Sequence, residues 1–266
     1  MTPLAAWVDG IGVLGPGMAD WPAAARVLTG EAPWQRAPTQ LPVPQSLPST
    51  ERRRTGIPVR LTLAVGLEAT ARAGADPGTF ATVFTSSGGD GQNCHEICQA
   101  LATTERQLSP TRFHNSVHNA AAGYWGIATG ATAASNALCA YDASFAAGLL
   151  EALIQLAVER TAVLLIAYDA SYPEPLRGVR PIPDAFGVAL VLAPARGAAS
   201  LAHVTAAWSD APADDMADAA LEALRGSVPA ARSLPLLAQL ARRAPGRVAI
   251  EYLDAPRLAL EVSPCR

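Results

Sequence analysis

Ala143-Ser144-Phe145-Ala146-Ala147-Gly148-Leu149-Leu150-Glu151-Ala152-Leu153-Ile154-Gln155-Leu156-Ala157-Val158-Glu159 has the length of a helix and is apolar nearly all round. Its one stripe of charged or amide side chains is Glu151, Gln155 and Glu159, spaced so as to share a helical face. A helix with so narrow a polar stripe belongs inside a domain rather than on its surface. Close behind it come Ala162-Val163-Leu164-Leu165-Ile166-Ala167-Tyr168 and Phe186-Gly187-Val188-Ala189-Leu190-Val191-Leu192. These are unbroken apolar runs of strand length, without the polar alternation of a half-exposed strand. Both are predicted to be covered on two faces. A buried helix beside doubly covered strands implies an α/β domain of more than two layers.

Outward from this centre the pattern stays α/β. Trp7-Val8-Asp9-Gly10-Ile11-Gly12-Val13-Leu14 reads as a strand that stops at Gly15-Pro16-Gly17, with a short helix over residues 21–28 behind it. Residues 31–50 hold Pro33, Pro38, Pro42, Pro44 and Pro48, which leaves an ordered loop or arm and no regular element. Residues 61–73 have helical spacing, and residues 79–85 form a strand that runs into the turn Ser86-Ser87-Gly88-Gly89-Asp90-Gly91. A helix over 93–104 and an extended Ser109-Pro110-Thr111-Arg112-Phe113 are expected next. The tail (214–226, 234–243, 247–253, 258–262) alternates helix and strand in short pieces, and no internal repeat is visible.

Composition removes several functions. Half of the 266 residues are apolar and 16% are charged, which is too apolar for disorder. The formal net charge is −3, so nothing replaces counterions on nucleic acid. Every basic residue is arginine, which excludes a Schiff-base lysine and a Walker-type lysine. The start, Met1-Thr2-Pro3-Leu4-Ala5-Ala6-Trp7, has no basic region, and Asp9 interrupts its short apolar run, so no export signal is expected. Residues 113–141 are uncharged at length but broken by His, Asn, Ser, Thr and Gly, so no membrane insertion is expected. Cys94, Cys98, Cys139 and Cys265 have no disulfide or CxxC spacing, which points to a reduced, cytoplasmic chain. The low charge also suggests an apolar surface that a partner covers.

The order of these pieces resembles a known family. Val8-Asp9-Gly10-Ile11-Gly12-Val13, the glycine turn after Thr85, Ser109-Pro110, His118-Asn119-Ala120-Ala121-Ala122-Gly123, the buried helix and Phe186–Leu192 are similar to the N-terminal half of the β-ketoacyl synthases of the thiolase superfamily. The stretch from Ser109 to Asn119 most resembles the chain-length-factor-type proteins of aryl polyene biosynthesis. The likeness covers about residues 5–205. It implies a thiolase-like layered α/β/α fold, truncated at its C-terminal side, with a ketosynthase-like part (1–205) and a shortened α/β remnant (206–266) packed on it.

Two departures bear on what the resemblance implies. A condensing enzyme of this family needs a cysteine at the start of the buried helix, where backbone N–H groups favour a thiolate and hold the thioester oxyanion. Alignment on Glu151-Ala152 places Asp142 there, and the plain reading of Asp142 is a helix N-cap. The family also carries two catalytic histidines in its C-terminal half, whereas the chain after Leu192 has only His203, in a strand-like setting. The resemblance therefore implies a subunit with no catalytic residue and no cofactor. It would pair with a catalytic β-ketoacyl synthase, as a heterodimer or in a larger assembly, shape the acyl tunnel of polyene, polyketide or fatty-acid-like synthesis, and meet acyl carrier protein transiently.

Other candidates follow from residue type and spacing. An alignment slipped by three residues makes Cys139 the nucleophile of an active acyl-transferring enzyme, against the simpler reading of a buried, inert thiol. Cys94, His95 and Cys98 form a cluster short of a zinc set, and with Ile97 and Leu101 they read as tunnel lining or interface rather than plain core. His114 and His118 could share a helical face, but no third ligand completes a metal site. Hydrogen bonding at a loop or interface, together with Asn119, is the expectation. The glycine turn lacks the spacing of a phosphate loop, and no Gly-x-Ser-x-Gly occurs.

Overall fold

The computed structural model describes residues 4–265, so the first three residues of the segment read for an export signal lie outside the described residues. The chain opens with β1 (Leu4–Leu14), α1 (Trp21–Leu28), α2 (Ser49–Arg52), α3 (Ile57–Arg72) and β2 (Ala81–Thr85). The middle holds α4 (Gly91–Ala102), α5 (Pro110–His114), α6 (Ala120–Thr129), β3 (Ser135–Leu138), α7 (Ser144–Glu159) and β4 (Val163–Asp169). Then come α8 (Leu176–Val179), β5 (Phe186–Ala193), β6 (Ala202–Ser209), α9 (Ala219–Ser227), α10 (Leu234–Arg242), β7 (Gly246–Ile250) and β8 (Arg257–Pro264).

All eight strands join one mixed sheet in the order β3-β2-β4-β5-β1-β6-β8-β7. β3, β2 and β4 run parallel to one another, and every further pair is antiparallel. The two apolar runs predicted as doubly covered strands are β4 and β5, and each of their residues is buried. Side chains alternate across the sheet, so Val163, Leu165 and Ala167 of β4 enter one core with α7 and α10, while Leu164, Ile166 and Tyr168 enter the other with α3 and α6. Helices on both faces give the expected α/β/α layering. β6 spans residues 202–209, so the expected boundary between 205 and 206 falls inside a strand of this shared sheet.

Residues 31–48 carry no helix or strand. This arm is pinned at Trp34, whose Nε1 donates to the Pro16 carbonyl at 2.8 Å, and at Thr39, whose hydroxyl donates to the Ala185 carbonyl at 2.7 Å. One local expectation is corrected. Residues 110–114 are not extended but form α5, because Pro110 supplies a φ suited to a first helical turn and lacks the N–H that such a turn leaves unpaired. The sequence pattern does not announce the edge strand β3, which is four residues long, exposed at Ser135 and Asn136, and without an apolar period.

Candidate functional site

In open α/β sheets, sites form beyond the carboxyl ends of parallel strands. Here β2, β3 and β4 all end at one place. β2 runs into the turn Ser86–Gly91, β3 into residues 139–143 ahead of α7, and β4 into Asp169 and the loop to Tyr172. Asp169 is the buried centre of this edge. Its Oδ1 accepts from the Ser87 N–H (2.9 Å) and the Ser87 hydroxyl (2.5 Å), and its Oδ2 accepts from the Ala230 N–H (2.8 Å). Burial lifts its carboxyl to about 6, and the three hydrogen bonds oppose the rise. The neighbouring Tyr168 phenol is also raised, by burial and by the carboxylates of Asp169 and Asp90.

The entry to α7 carries a second network. Tyr141 adopts a left-handed backbone (φ +52), rare for a residue with a side chain, and the residue is 62% exposed. The Arg180 guanidinium lies 3.7 Å from the centre of that ring and bonds the Asp142 carboxylate at 2.6 Å. Arg232 approaches the other Asp142 oxygen at 3.1 Å and continues to Glu251, which also meets Arg225 at 3.5 Å. A chain of alternating charges thus ties the start of α7 to the residue that follows β7.

Asp142 does not cap α7. Ala143 occupies the cap position, no side chain bonds there, and the Asp142 carboxylate is drawn to two guanidinium groups instead. Asp142→Ala leaves Arg180 and Arg232 without their shared anion. At intermediate exposure this is expected to cost about 2 kcal/mol, between the surface and buried limits for ion pairs. Urea unfolding at low salt checks it, and a change within about 0.5 kcal/mol would show the network to be fully solvated.

The other sequence candidates are dispersed. Cys139 is exposed rather than buried, and its Sγ donates to the Ser87 carbonyl at 3.1 Å. The four-residue β3 ends just before it and leaves the thiol on a loop. Cys94, Cys98 and Leu101 are exposed on α4, so these three are not core, and Ile97 is half-buried. Of that helix only Asn93 is buried. His114 and His118 share no helical face, because α5 ends at His114 and α6 starts at Ala120. The His114 ring meets Tyr124 edge-on at 6.3 Å, and His118 Nε2 lies 3.1 Å from the Leu138 carbonyl oxygen. Asn119 is exposed ahead of α6 and makes no side-chain cap bond. His203 sits on β6 with its ring 4.6 Å from that of Trp7. Among the described residues, no group of three or more His, Cys, Asp or Glu side chains could hold a metal.

Arg180, Arg232 and Asp169 carry the site's electrostatics, and the sequence reading did not single them out. Asp169 had one local signal, a carboxylate closing an apolar strand. The arginines come from segments distant in the chain, the end of α8 and a 3-10 turn before α10, and give none.

Against family models, the chain matches the β-ketoacyl synthase N-terminal domain over residues 21–246. A sequence comparison with curated proteins gives no match. A chain of the Xenorhabdus doucetiae complex of the ketosynthase ApeO with its chain length factor ApeC superposes with TM-score 0.73 at 23% identity, covering 97% of this chain and 99% of that one. A chain of the AntDE:AntF assembly, a type II polyketide synthase acyl-carrier protein in complex with its hexaketide-bound ketosynthase, gives TM-score 0.74 at 12% identity, with 99% of this chain and 100% of that one covered. A β-ketoacyl synthase from Burkholderia phymatum gives TM-score 0.60 at 15% identity, and here the match covers 91% of this chain but 71% of that one. At these identities the likeness is one of fold, and it is the thiolase-like layering expected from the sequence.

Proposed function

Because the chain belongs to the β-ketoacyl synthase family through that family's N-terminal domain, we propose that it is a non-catalytic, chain-length-factor-type subunit. It pairs with a catalytic β-ketoacyl synthase and forms part of the wall that limits acyl-chain growth in polyene, polyketide or related synthesis. The observation that carries this reading is the entry to α7. There the position assigned to a nucleophile holds Asp142, locked between Arg180 and Arg232, and no thiol. A carboxylate so paired neither attacks a thioester nor leaves its anion-binding neighbours free for an oxyanion.

The outer surface supports a partner. α4 turns Cys94, Cys98 and Leu101 outward, α5 and the following loop expose Phe113 and Val117, and the edge strand β3 has one unpaired side. Exposed apolar side chains and an open strand edge are each a liability in a lone subunit, and an assembled one covers them. Acyl carrier protein would then dock on the pair, as the carrier protein does in the AntDE:AntF assembly.

Co-expression with a candidate ketosynthase tests the pairing, and a native mass equal to one copy of each chain, or a multiple of that pair, is the expected result. In the active pair, Ile97→Trp or Leu101→Trp is expected to shorten the product without stopping synthesis, read by mass spectrometry of released acyl chains. Turnover of malonyl thioesters by this subunit alone would refute the reading. The exposure of Cys139 favours a second one, acyl transfer through that thiol. Stoichiometric labelling of Cys139 by an electrophilic acyl probe would support it, and background labelling removes it.

A further inference from the structure

The α2–α3 junction, the start of α4 and α5 border an open pocket of about 410 Å³ next to the carboxyl ends of β2 and β4. Its size is that of small-molecule sites. Arg53, Arg54 and Arg112 are in its lining, together with the hydroxyl residues Thr55, Ser109 and Thr111. The arginine segments are held by buried amides. Asn115 Nδ2 donates to the Arg54 carbonyl at 2.9 Å and itself accepts from the Tyr124 hydroxyl, while Asn93 Nδ2 donates to the Arg112 carbonyl at 2.8 Å.

The charges in this lining are unequally matched. Arg54 pairs with Glu51 and Arg112 with Glu96, but the Arg53 guanidinium has no hydrogen bond or ion pair among the described residues. The carboxylate of Asp90 faces the same cavity. Its Oδ1 accepts from the Asn93 N–H at 3.0 Å, and its Oδ2 accepts nothing among the described residues. Burial raises this carboxyl above its ordinary value, as expected of an acid with no cation bound to it. Gly56 keeps the space open, because a methyl there would lie 2.7 Å from Asp90 Oδ2. A free cation and a free acceptor therefore share one preformed space.

We propose that this cavity binds a small phosphate ester that carries a hydroxyl or amide donor. The phosphate meets Arg53, with Arg54 and Arg112 beside it, and the donor on the tail meets Asp90 Oδ2. Arginine suits this task because its planar fork presents paired N–H groups to phosphate oxygens. The site is independent of whether the chain pairs with a ketosynthase, and its test reads binding to the full chain as purified.

Titration calorimetry with sn-glycerol 3-phosphate, inorganic phosphate and glycerol is the experiment. Glycerol 3-phosphate is expected to bind saturably and more tightly than inorganic phosphate, with no binding of glycerol. Arg53→Ala is expected to weaken the ester about tenfold or more, since one charge-assisted contact is lost. This exposed residue lies at the end of α2, so the variant's melting temperature should stay that of the parent. Asp90→Asn keeps the cap on α4 but replaces the free acceptor with a donor, and it should erase the advantage of the ester over phosphate. A phosphoserine peptide tests for a protein-borne phosphate, and it is expected to bind no better than inorganic phosphate. Absence of saturable binding, equal binding to the Arg53→Ala variant, or preference for the peptide would each overturn the proposal.

Discussion

Asp169→Ala is expected to lower the unfolding free energy by about 3 kcal/mol at neutral pH, because the N–H groups of Ser87 and Ala230 lose their buried acceptor and each unmade bond costs about 1–3 kcal/mol. The melting temperature should fall by roughly 10 °C for a chain of this size. The penalty should also depend on pH in a defined direction. Asp169 titrates near 3.8 when unfolded and at about 6 in the fold, so the folded state holds its proton more firmly. Stability from this group is therefore complete below the lower value and is lost as pH rises through the upper one, a change of about 3 kcal/mol. Urea unfolding of parent and variant at about pH 4 and pH 7 measures it, with the gap between them expected to be wider at the acid end. A gap that widens towards pH 7 would mean that the hydrogen bonds outweigh burial and that Asp169 is held as an anion.

This one carboxylate joins three parts of the chain that are remote in sequence. It closes β4, anchors the glycine turn through Ser87 and holds the segment before α10 through Ala230. The Asp142 network makes a parallel connection on the surface, from the start of α7 to the residue after β7. On the proposed alignment, which puts Asp142 where a condensing enzyme of the family has its nucleophile, these contacts would hold that position rigid. Tyr141, Asp142 and Arg180 occupy one another there. A subunit that supplies a wall benefits from such fixed contacts, whereas a catalytic centre would have to break them to admit substrate.

The sequence revealed the fold wherever burial dominates. β4, β5 and α7 are legible because strands and helices covered on several sides cannot tolerate polar interruptions, and their residues record that directly. β3 was illegible for the opposite reason: Ser135 and Asn136 are exposed, and the strand is specified by its pairing with β2 rather than by its own pattern. The segment 109–113 has no helical apolar period, and its one helical signal is Pro110, which opens α5. The candidate site was legible only in part. The placement of Asp142 near the start of α7 was readable from the helix pattern, but its arginine partners are 38 and 90 positions away and depend on tertiary structure. Cys139 shows the same limit, since exposure at a strand end is a property of the sheet and not of the residue.

The glycines of β1 extend this lesson to packing, and Gly12→Ala carries the second large expected effect. Gly10 and Gly12 share one face of the strand, and α3 lies directly against that face. A methyl on Gly12 would sit 2.0 Å from the Val65 carbonyl oxygen, and one on Gly10 would sit 2.1 Å from that of Ala69. Both obstacles are helix backbone, which cannot turn aside as a side chain does. The helix must lift from the sheet or the strand must bend, and overpacking of this kind costs about 3 kcal/mol or more. Gly12→Ala is thus expected to lose roughly 10 °C in melting temperature. Gly226→Ala is the control. It lies in α9 with nothing within 4 Å of the added carbon, and it should leave stability unchanged or raise it by about 0.5–1 kcal/mol through helix propensity. Equal melting of the two variants would mean that α3 does not rest on β1 as described, and the layer that holds α3 and α6 over the sheet would need a different arrangement.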